Sequence, residues 1–146
     1  MREALVLLPE IDMDDVGEDH YFPKGKSRLV RVTNRLFRPW HLAELESEIE
    51  TKFASFSPEV LIVYKGGGIS ADVVHKAKRA GVFTVNIFPD VSPHAHGPAL
   101  QAAIGAYDLV ISTKPFHPAG WASIYGYSNR CVCVPHGYDP AVHLIQ

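Results

Sequence analysis

The sequence predicts an open α/β fold: a Rossmann-like parallel sheet with helices on both faces, forming a single domain over residues 1–146. Short apolar runs rich in β-branched residues are typical of strands buried in a parallel sheet. Segments of about 8–12 residues with helical patterning separate these runs, and such alternation builds βαβ units. With 146 residues and 47% hydrophobic composition, the chain can bury a core and is too apolar for disorder.

Charge is segregated along the first 57 residues. Residues 10–19 carry the acidic side chains Glu10, Asp12, Asp14, Asp15, Glu18 and Asp19. Residues 24–38 carry only basic ones: Lys24, Lys26, Arg28, Arg31, Arg35 and Arg38. The four arginines are spaced by 3, 4 and 3 residues, which places them on one helical face. That face is either solvated or a contact for an anionic ligand or a membrane surface.

Two more segments precede the first clear strand. Residues 2–8 form either the first strand or a helix, because five apolar residues cannot decide between them. From His41 onward, a helical apolar stripe comprises Leu42, Leu45, Ile49, Phe53 and Phe56. The pair Ser57-Pro58 is expected to end this helix.

The remaining chain alternates regularly between strands and helices. Residues 60–64 are a short apolar run followed at once by three glycines. Ser70 can cap a helix over residues 70–80, and Gly81 can close it. The later predicted elements are strands at 82–88, 109–112 and 131–134, and helices at 99–106 and 118–125.

Composition excludes several classes of protein. A net charge of −2 argues against a dominant nucleic-acid contact, so no nucleic acid is expected as a partner. No apolar run approaches the roughly 18 residues of a transmembrane helix, and the first residues lack a secretory signal. A disulfide between Cys131 and Cys133 would close a strained ring. A reducing, cytoplasmic location is the expectation.

Ligands of open parallel sheets bind beyond the carboxyl ends of the strands, and polar residues follow all four predicted strands. Lys65, Gly66 and Gly67 come after the first strand, where glycines allow close approach of a ligand or simply a tight turn. Asp90 and His94 come after the second, and a carboxylate with a nearby imidazole could orient or deprotonate a hydroxyl.

The last two strands complete this predicted crevice. Thr113 and Lys114 follow the third strand, and His136 and Gly137 follow the fourth. The tripeptide His94-Ala95-His96 also suggests a metal, but two ligands do not make a site, so no metal is expected.

Four pieces of the sequence resemble the N-terminal half of the CgeB-like, spore-maturation-type glycosyltransferases, which have the GT-B fold. These pieces are residues 61–66 (LIVYKG), 85–90 (VNIFPD), 107–110 (YDLV) with Thr113-Lys114, and 134–140 (VPHGYDP). The resemblance is good over residues 58–143 and loose over residues 1–57. It implies transfer of a sugar from a nucleotide-sugar donor to a sugar or glycan acceptor, in a cleft between two Rossmann domains.

The resemblance also implies how the work is divided. The N-terminal domain would meet the acceptor, and a second domain, which this sequence lacks, would hold most of the donor. The chain would then be incomplete without a partner or a homo-oligomer, and would need no cofactor beyond its nucleotide-sugar co-substrate. Asp90 and His94 would act as general base or sugar contact. Substrate binding would fall to Lys65, Gly66, Gly67, Thr113, Lys114, His136 and Gly137.

Two further interpretations remain. One is a stand-alone Rossmann or flavodoxin-like binding or regulatory module without catalysis; a receiver domain fits less well, because Lys114 comes one strand too early. The other is a hydrolase, which is disfavoured because the sequence has no nucleophile elbow and no metal-ligand set.

Overall fold

A computed structural model describes residues 9–21, 28–96, 98–125 and 130–137. The chain divides into two compact units, residues 1–58 and 59–146. The predicted element at residues 2–8 and the end of the 134–140 motif lie outside the described residues.

The first unit contains a short helix α1 (Glu18–Tyr21) and a long helix α2 (Arg28–Phe56). The four arginines of the basic segment and the helix predicted from His41 are therefore parts of one helix, and Lys24 and Lys26 lie outside the described residues. The Tyr21 hydroxyl donates to a Glu48 carboxylate oxygen, which raises the pKa of Tyr21 to about 12. Helix α2 ends at Phe56; the next residue, Ser57, has a φ of +51° and donates its N–H to the Phe53 carbonyl over 3.2 Å.

The second unit is a sheet of four parallel strands in the order β1-β2-β3-β4. The strands are β1 (Val60–Tyr64), β2 (Phe83–Phe88), β3 (Leu109–Ser112) and β4 (Cys131–Cys133). The helices between them are α3 (Ala71–Arg79), α4 (Pro98–Ile104) and α5 (His117–Tyr125), with a 3₁₀ turn at Pro93–His96. The predicted Rossmann-like parallel α/β fold is confirmed. The four strands and three helices begin and end within two residues of their predicted bounds, whereas the 3₁₀ turn lies in a segment predicted as a loop.

The core of this unit lies between one sheet face and the three crossover helices. Thr84, Asn86 and Phe88 alternate along β2 toward that face and are fully buried, as are Val73 on α3 and Leu100 on α4. Strands paired in sequence order need right-handed crossovers on the same side, which places these helices on one face. The sequence predicted helices on both faces; the helices that connect the described strands share one.

A partly buried polar network around Asp108 connects the strands at the amino edge of the sheet. Its Oδ2 accepts from the N–H and the hydroxyl of Thr84 over 2.9 and 2.8 Å. Its Oδ1 lies 2.7 Å from Lys78 Nζ, and that ammonium also donates to the Ala106 carbonyl over 3.0 Å. Partial burial acts to raise the pKa of Asp108, but Lys78 and Thr84 outweigh it, so the pKa lies below its ordinary value of 3.8.

No helix in the described part of the chain is long and apolar enough to cross a membrane.

Candidate functional site

The turn that follows β1 holds its backbone in an unusual conformation. Lys65 continues the ladder by donating its N–H to the Ile87 carbonyl over 2.9 Å, and its φ is +63°. Gly66 then donates back to the Tyr64 carbonyl over 2.9 Å. A bond spanning two residues around a positive φ is the rare, strained form of the γ-turn. Strain of this kind at the end of a strand often marks a functional site.

Gly66 is required at this turn for two reasons. Its φ is +79°, which favours glycine, and a Cβ there would lie only 2.6 Å from Val63 Cγ1. The same position is 3.4 Å from Asn86 Nδ2 and 3.5 Å from the Tyr107 hydroxyl. Asn86 Nδ2 also donates to the Lys65 carbonyl over 3.2 Å. The buried amide therefore supports the strained turn from inside the sheet.

Lys65, Asp90 and His96 form a cluster at the carboxyl ends of β1 and β2. Asp90 Oδ2 lies 3.2 Å from Lys65 Nζ and 2.9 Å from His96 Nε2. The three side chains are 43%, 34% and 28% exposed, so solutes can reach them. Gly67 lies against His96, because a Cβ at Gly67 would be 4.0 Å from that of the histidine. We call these three side chains the Lys65–Asp90–His96 cluster.

The contacts leave acceptor positions open in this cluster. His96 Nε2 lies 2.9 Å from Asp90 Oδ2, but that buried oxygen accepts no hydrogen bond from the described residues, so the contact is a close approach and not an aligned hydrogen bond. A neutral imidazole that carries its proton on Nε2 keeps Nδ1 as an acceptor. Both contacts of Asp90 use Oδ2, and among the described residues no hydrogen bond or ion pair reaches Oδ1. The cluster can therefore accept hydrogen bonds from hydroxyl groups at two atoms while Lys65 supplies a positive charge.

The structure brings together only some of the residues predicted for the site. Asp90 meets Lys65 beside Gly66 and Gly67, but its histidine partner is His96 and not His94. The 3₁₀ turn gives the reason: at three residues per turn, His96 shares the side of the buried Pro93, and His94 points elsewhere and is exposed. The sequence contained both histidines but no signal that Pro93 would be buried.

The remaining predicted residues lie around the cluster without joining it. The Thr113 hydroxyl donates to the Pro89 carbonyl over 2.9 Å and so anchors the loop that carries Asp90. Lys114 donates its backbone N–H to Ser112 Oγ over 3.0 Å. His136 and Gly137 are exposed beyond β4, and no hydrogen bond in the described part of the chain joins them to the cluster.

A buried histidine fixes the loop next to the cluster. His117 is 2% exposed, with Nε2 2.8 Å from the Val91 carbonyl and Nδ1 2.5 Å from Ser112 Oγ. Its ring stacks on Trp121 at 4.0 Å. Burial lowers the pKa of His117 below its ordinary value, although the Val91 carbonyl opposes the shift. Because Ser112 is fully buried, the Ser112–His117 pair is a structural contact and not a nucleophile with its base.

An open groove of about 200 Å³ borders the same loop. It is lined by Val91, Ser92, Pro93 and His94 on one side, and by Phe116, His117, Gly120, Trp121 and Ile124 on the other. The apolar wall is reachable, since Val91 is 65% and Phe116 55% exposed. The predicted site residue His94 belongs to this groove.

No group of three metal-ligating side chains occurs among the described residues. No protein-family model, curated protein or solved structure matches the chain.

Proposed function

We propose that residues 59–146 bind a hydroxyl-bearing, anionic small molecule of the nucleotide-sugar or glycan class at the carboxyl edge of the sheet. The chain would then be the acceptor-side domain of a GT-B-like glycosyltransferase. The observation that carries the proposal is the Lys65–Asp90–His96 cluster, which a strained turn holds at the ends of two adjacent parallel strands.

The chemistry of the three groups suits a sugar ligand. A carboxylate oxygen and an imidazole nitrogen accept hydrogen bonds from neighbouring hydroxyls, and an ammonium pairs with phosphate or an acidic sugar as a point charge. The adjacent groove adds an apolar wall, as small-molecule sites commonly do. Ligands of parallel sheets also bind at this edge.

For transfer of a sugar, the acceptor hydroxyl must lose a proton. His96 Nδ1 is the proposed base, and Asp90 orients the ring through its contact with Nε2. The resemblance of residues 85–90 to the CgeB-like enzymes supports a role for Asp90, whereas it implied His94 as the histidine, and the choice of His96 rests on the contact with Asp90. It also supplies the expectation that a second domain holds the donor.

A binding module without chemistry is the second candidate, and one contact favours it. Lys65 and His96 both contact Asp90 Oδ2, so the ammonium competes with the imidazole for the oxygen that would orient the base. In that case the cluster would recognise a ligand and transfer no proton.

Binding is tested by thermal shift with UDP-, GDP-, ADP- and dTDP-sugars, their free sugars and the free nucleotides. A ligand at 100 times its Kd stabilises the protein by about 2.7 kcal/mol, which a melting curve resolves. Asp90→Asn and His96→Gln should each lose the shift. The matched control His75→Gln changes an exposed histidine outside both the cluster and the groove and should keep it. Equal shifts in all three variants would overturn the proposal.

Catalysis is tested separately, by release of nucleoside diphosphate in the presence of an acceptor. Retained binding with no release in the native chain, alone and with a supplied donor domain, would favour the binding module. Release that His96→Gln abolishes and His75→Gln preserves would assign the base.

A further inference from the structure

The two halves of helix α2 place their apolar side chains on opposite sides. In the second half, Leu45 and Ile49 are 2% and 7% exposed and belong to the stripe predicted from the sequence. In the first half, Leu36 is 72% exposed. Leu36 and Leu45 are nine residues apart, which is two and a half turns at about 3.6 residues per turn. The apolar side of the helix therefore changes to the opposite face near Pro39.

The first half carries a continuous exposed apolar stripe. Val32, Leu36 and Trp40 follow one another at intervals of four residues and are 64%, 72% and 71% exposed. Phe37 flanks them at 42%, and its ring stacks on Trp40 at 6.2 Å with an interplanar angle of 6°. Single exposed apolar residues are ordinary, whereas a contiguous patch marks a surface that contacts something. We call these four residues the Trp40 stripe.

The charge around the Trp40 stripe specifies what it contacts. Residues 20–43 contain no acidic side chain, and residues 24–38 hold six of the 14 lysines and arginines of the chain. Arg35 and Arg38 are exposed on the side of the helix away from Leu36. The partner must therefore be anionic and must also accept apolar side chains.

We propose that residues 28–40 bind an anionic lipid surface, lying in the plane of the interface. A helix with Trp, Phe and Leu on one face and arginines on the other is the pattern of interfacial helices. The stripe would enter the boundary between headgroups and acyl chains, where Trp is favoured, and the arginines would meet the lipid phosphates. These 13 residues are about 20 Å long, shorter than the roughly 30 Å hydrocarbon core, so they lie on the bilayer and do not span it.

Nucleic acid is the other anionic polymer that a basic helix could bind. Phosphate contacts from lysine and arginine provide most nonspecific affinity for DNA and RNA, and they gain nothing from exposed Val32 and Leu36. The observed stripe therefore favours lipid, and nucleic-acid binding becomes an outcome of the test.

The first experiment is co-sedimentation of the full chain with vesicles of phosphatidylcholine alone or of equal parts phosphatidylcholine and phosphatidylglycerol. We expect binding only to the anionic vesicles. The double variant Arg35→Ala/Arg38→Ala should weaken the partition coefficient roughly 30-fold, which corresponds to about 1 kcal/mol for each arginine. The control Arg79→Ala removes an exposed arginine from the end of α3 and should bind like the native chain.

Depth of insertion gives a second readout that does not depend on affinity. Lipids with brominated acyl chains quench a tryptophan that enters the bilayer. The chain has two tryptophans, of which Trp121 is only 5% exposed. Quenching should therefore be strong in the native chain and absent in Trp40→Phe. Equal sedimentation with neutral vesicles, no effect of the arginine pair, unquenched Trp40, or binding of a DNA duplex without binding of vesicles would each overturn the proposal.

Discussion

Two lysine–aspartate pairs of the sheet unit lie at its opposite edges and are built differently. At the amino edge, Asp108 uses both carboxylate oxygens: Thr84 donates twice to one, and Lys78 lies 2.7 Å from the other. At the carboxyl edge, Asp90 directs a single oxygen at both Lys65 and His96. Both carboxylates are partly exposed, at 25% and 34%, so burial alone does not separate them.

The difference lies in what each carboxylate can still do. One oxygen of Asp108 is occupied by the backbone and the hydroxyl of a fully buried threonine and the other by Lys78, so this group stabilises the fold. Asp90 depends on two long, partly exposed side chains and keeps one oxygen open. An aspartate with both oxygens occupied is structural, and one that keeps an oxygen open is a candidate for binding.

The largest expected effect comes from the turn that supports the carboxyl edge. Gly66→Ala forces a side chain into a left-handed conformation and against Val63 Cγ1 at 2.6 Å. We expect a loss of about 3 kcal/mol in the free energy of unfolding, from roughly 1–2 kcal/mol of backbone strain plus overpacking. Urea denaturation measures it. Gly120→Ala, where a Cβ meets nothing within 4 Å, is the control and should change stability by less than about 1 kcal/mol.

The second prediction contrasts the two aspartates directly. Asp108→Ala leaves the buried donors of Thr84 without an acceptor, which should cost about 2 kcal/mol. Asp90→Ala removes a surface ion pair worth about 0–1 kcal/mol, so stability should barely change while ligand binding is lost. The urea denaturation midpoints of the two variants test this prediction. Equal destabilisation would contradict the distinction between a structural Asp108 and a ligand-binding Asp90.

The contribution of Asp108 to the stability of the fold also depends on pH. Because the folded pKa of Asp108 is lowered, its contribution to stability is present above its ordinary value of 3.8 and disappears as pH falls through the folded value. Asp108→Asn should flatten this acid limb of the unfolding curve.

The sequence was sufficient to predict the strands and helices of the sheet unit but not the side-chain contacts between them. The apolar run at 60–64 and the cap at Ser70 are local signals, and the structure reproduces them. Selection of His96 over His94 depends on the burial of Pro93, which is a tertiary event. The positive φ of Lys65 also has no local signature, because the glycines beside it would satisfy an ordinary turn.

Helix α2 shows a related limit. The apolar stripe predicted a helix from His41 onward, separate from the basic segment before it, yet one helix runs from Arg28 through Pro39 to Phe56. A proline inside a helix removes one hydrogen bond and crowds the preceding turn, and the remaining hydrogen bonds of a 29-residue helix can compensate for that cost.

The polar network around Asp108 could not be predicted either. Asp108 contacts Thr84 and Lys78, which precede it by 24 and 30 residues, and no pattern in the sequence pairs these residues.

The third prediction separates stability from function at the strained turn. Lys65→Gly relieves a positive φ of +63° and should stabilise the fold by about 0.5–1 kcal/mol, after the extra entropy of glycine in the unfolded chain is included. It also removes the ammonium beside Asp90, so ligand binding should fall. A melting curve with and without ligand shows both effects. Lys65→Met keeps the strain and removes the charge, so it should lose binding with no gain in stability; a gain there would show that charge, not backbone strain, sets the effect.

The smallest expected effect is a pH dependence at His117, which fixes the loop between the cluster and the groove. In the folded state its pKa is lowered, so between the folded value and the ordinary value of 6.5 the unfolded chain binds more protons. The stabilisation is therefore fully present above about pH 6.5 and is lost as pH falls toward the folded value. Protonation would add a proton on Nδ1 that faces Ser112 Oγ, an oxygen that already accepts from the Lys114 N–H.

Melting curves at several pH values test this prediction. The Tm of the native chain should fall between about pH 8 and pH 5. His117→Gln should have a lower Tm but a flatter pH profile, whereas the exposed control His75→Gln should follow the native curve. An unchanged slope in His117→Gln would mean that another group titrates over this range and that protonation of His117 does not cause the loss of stability.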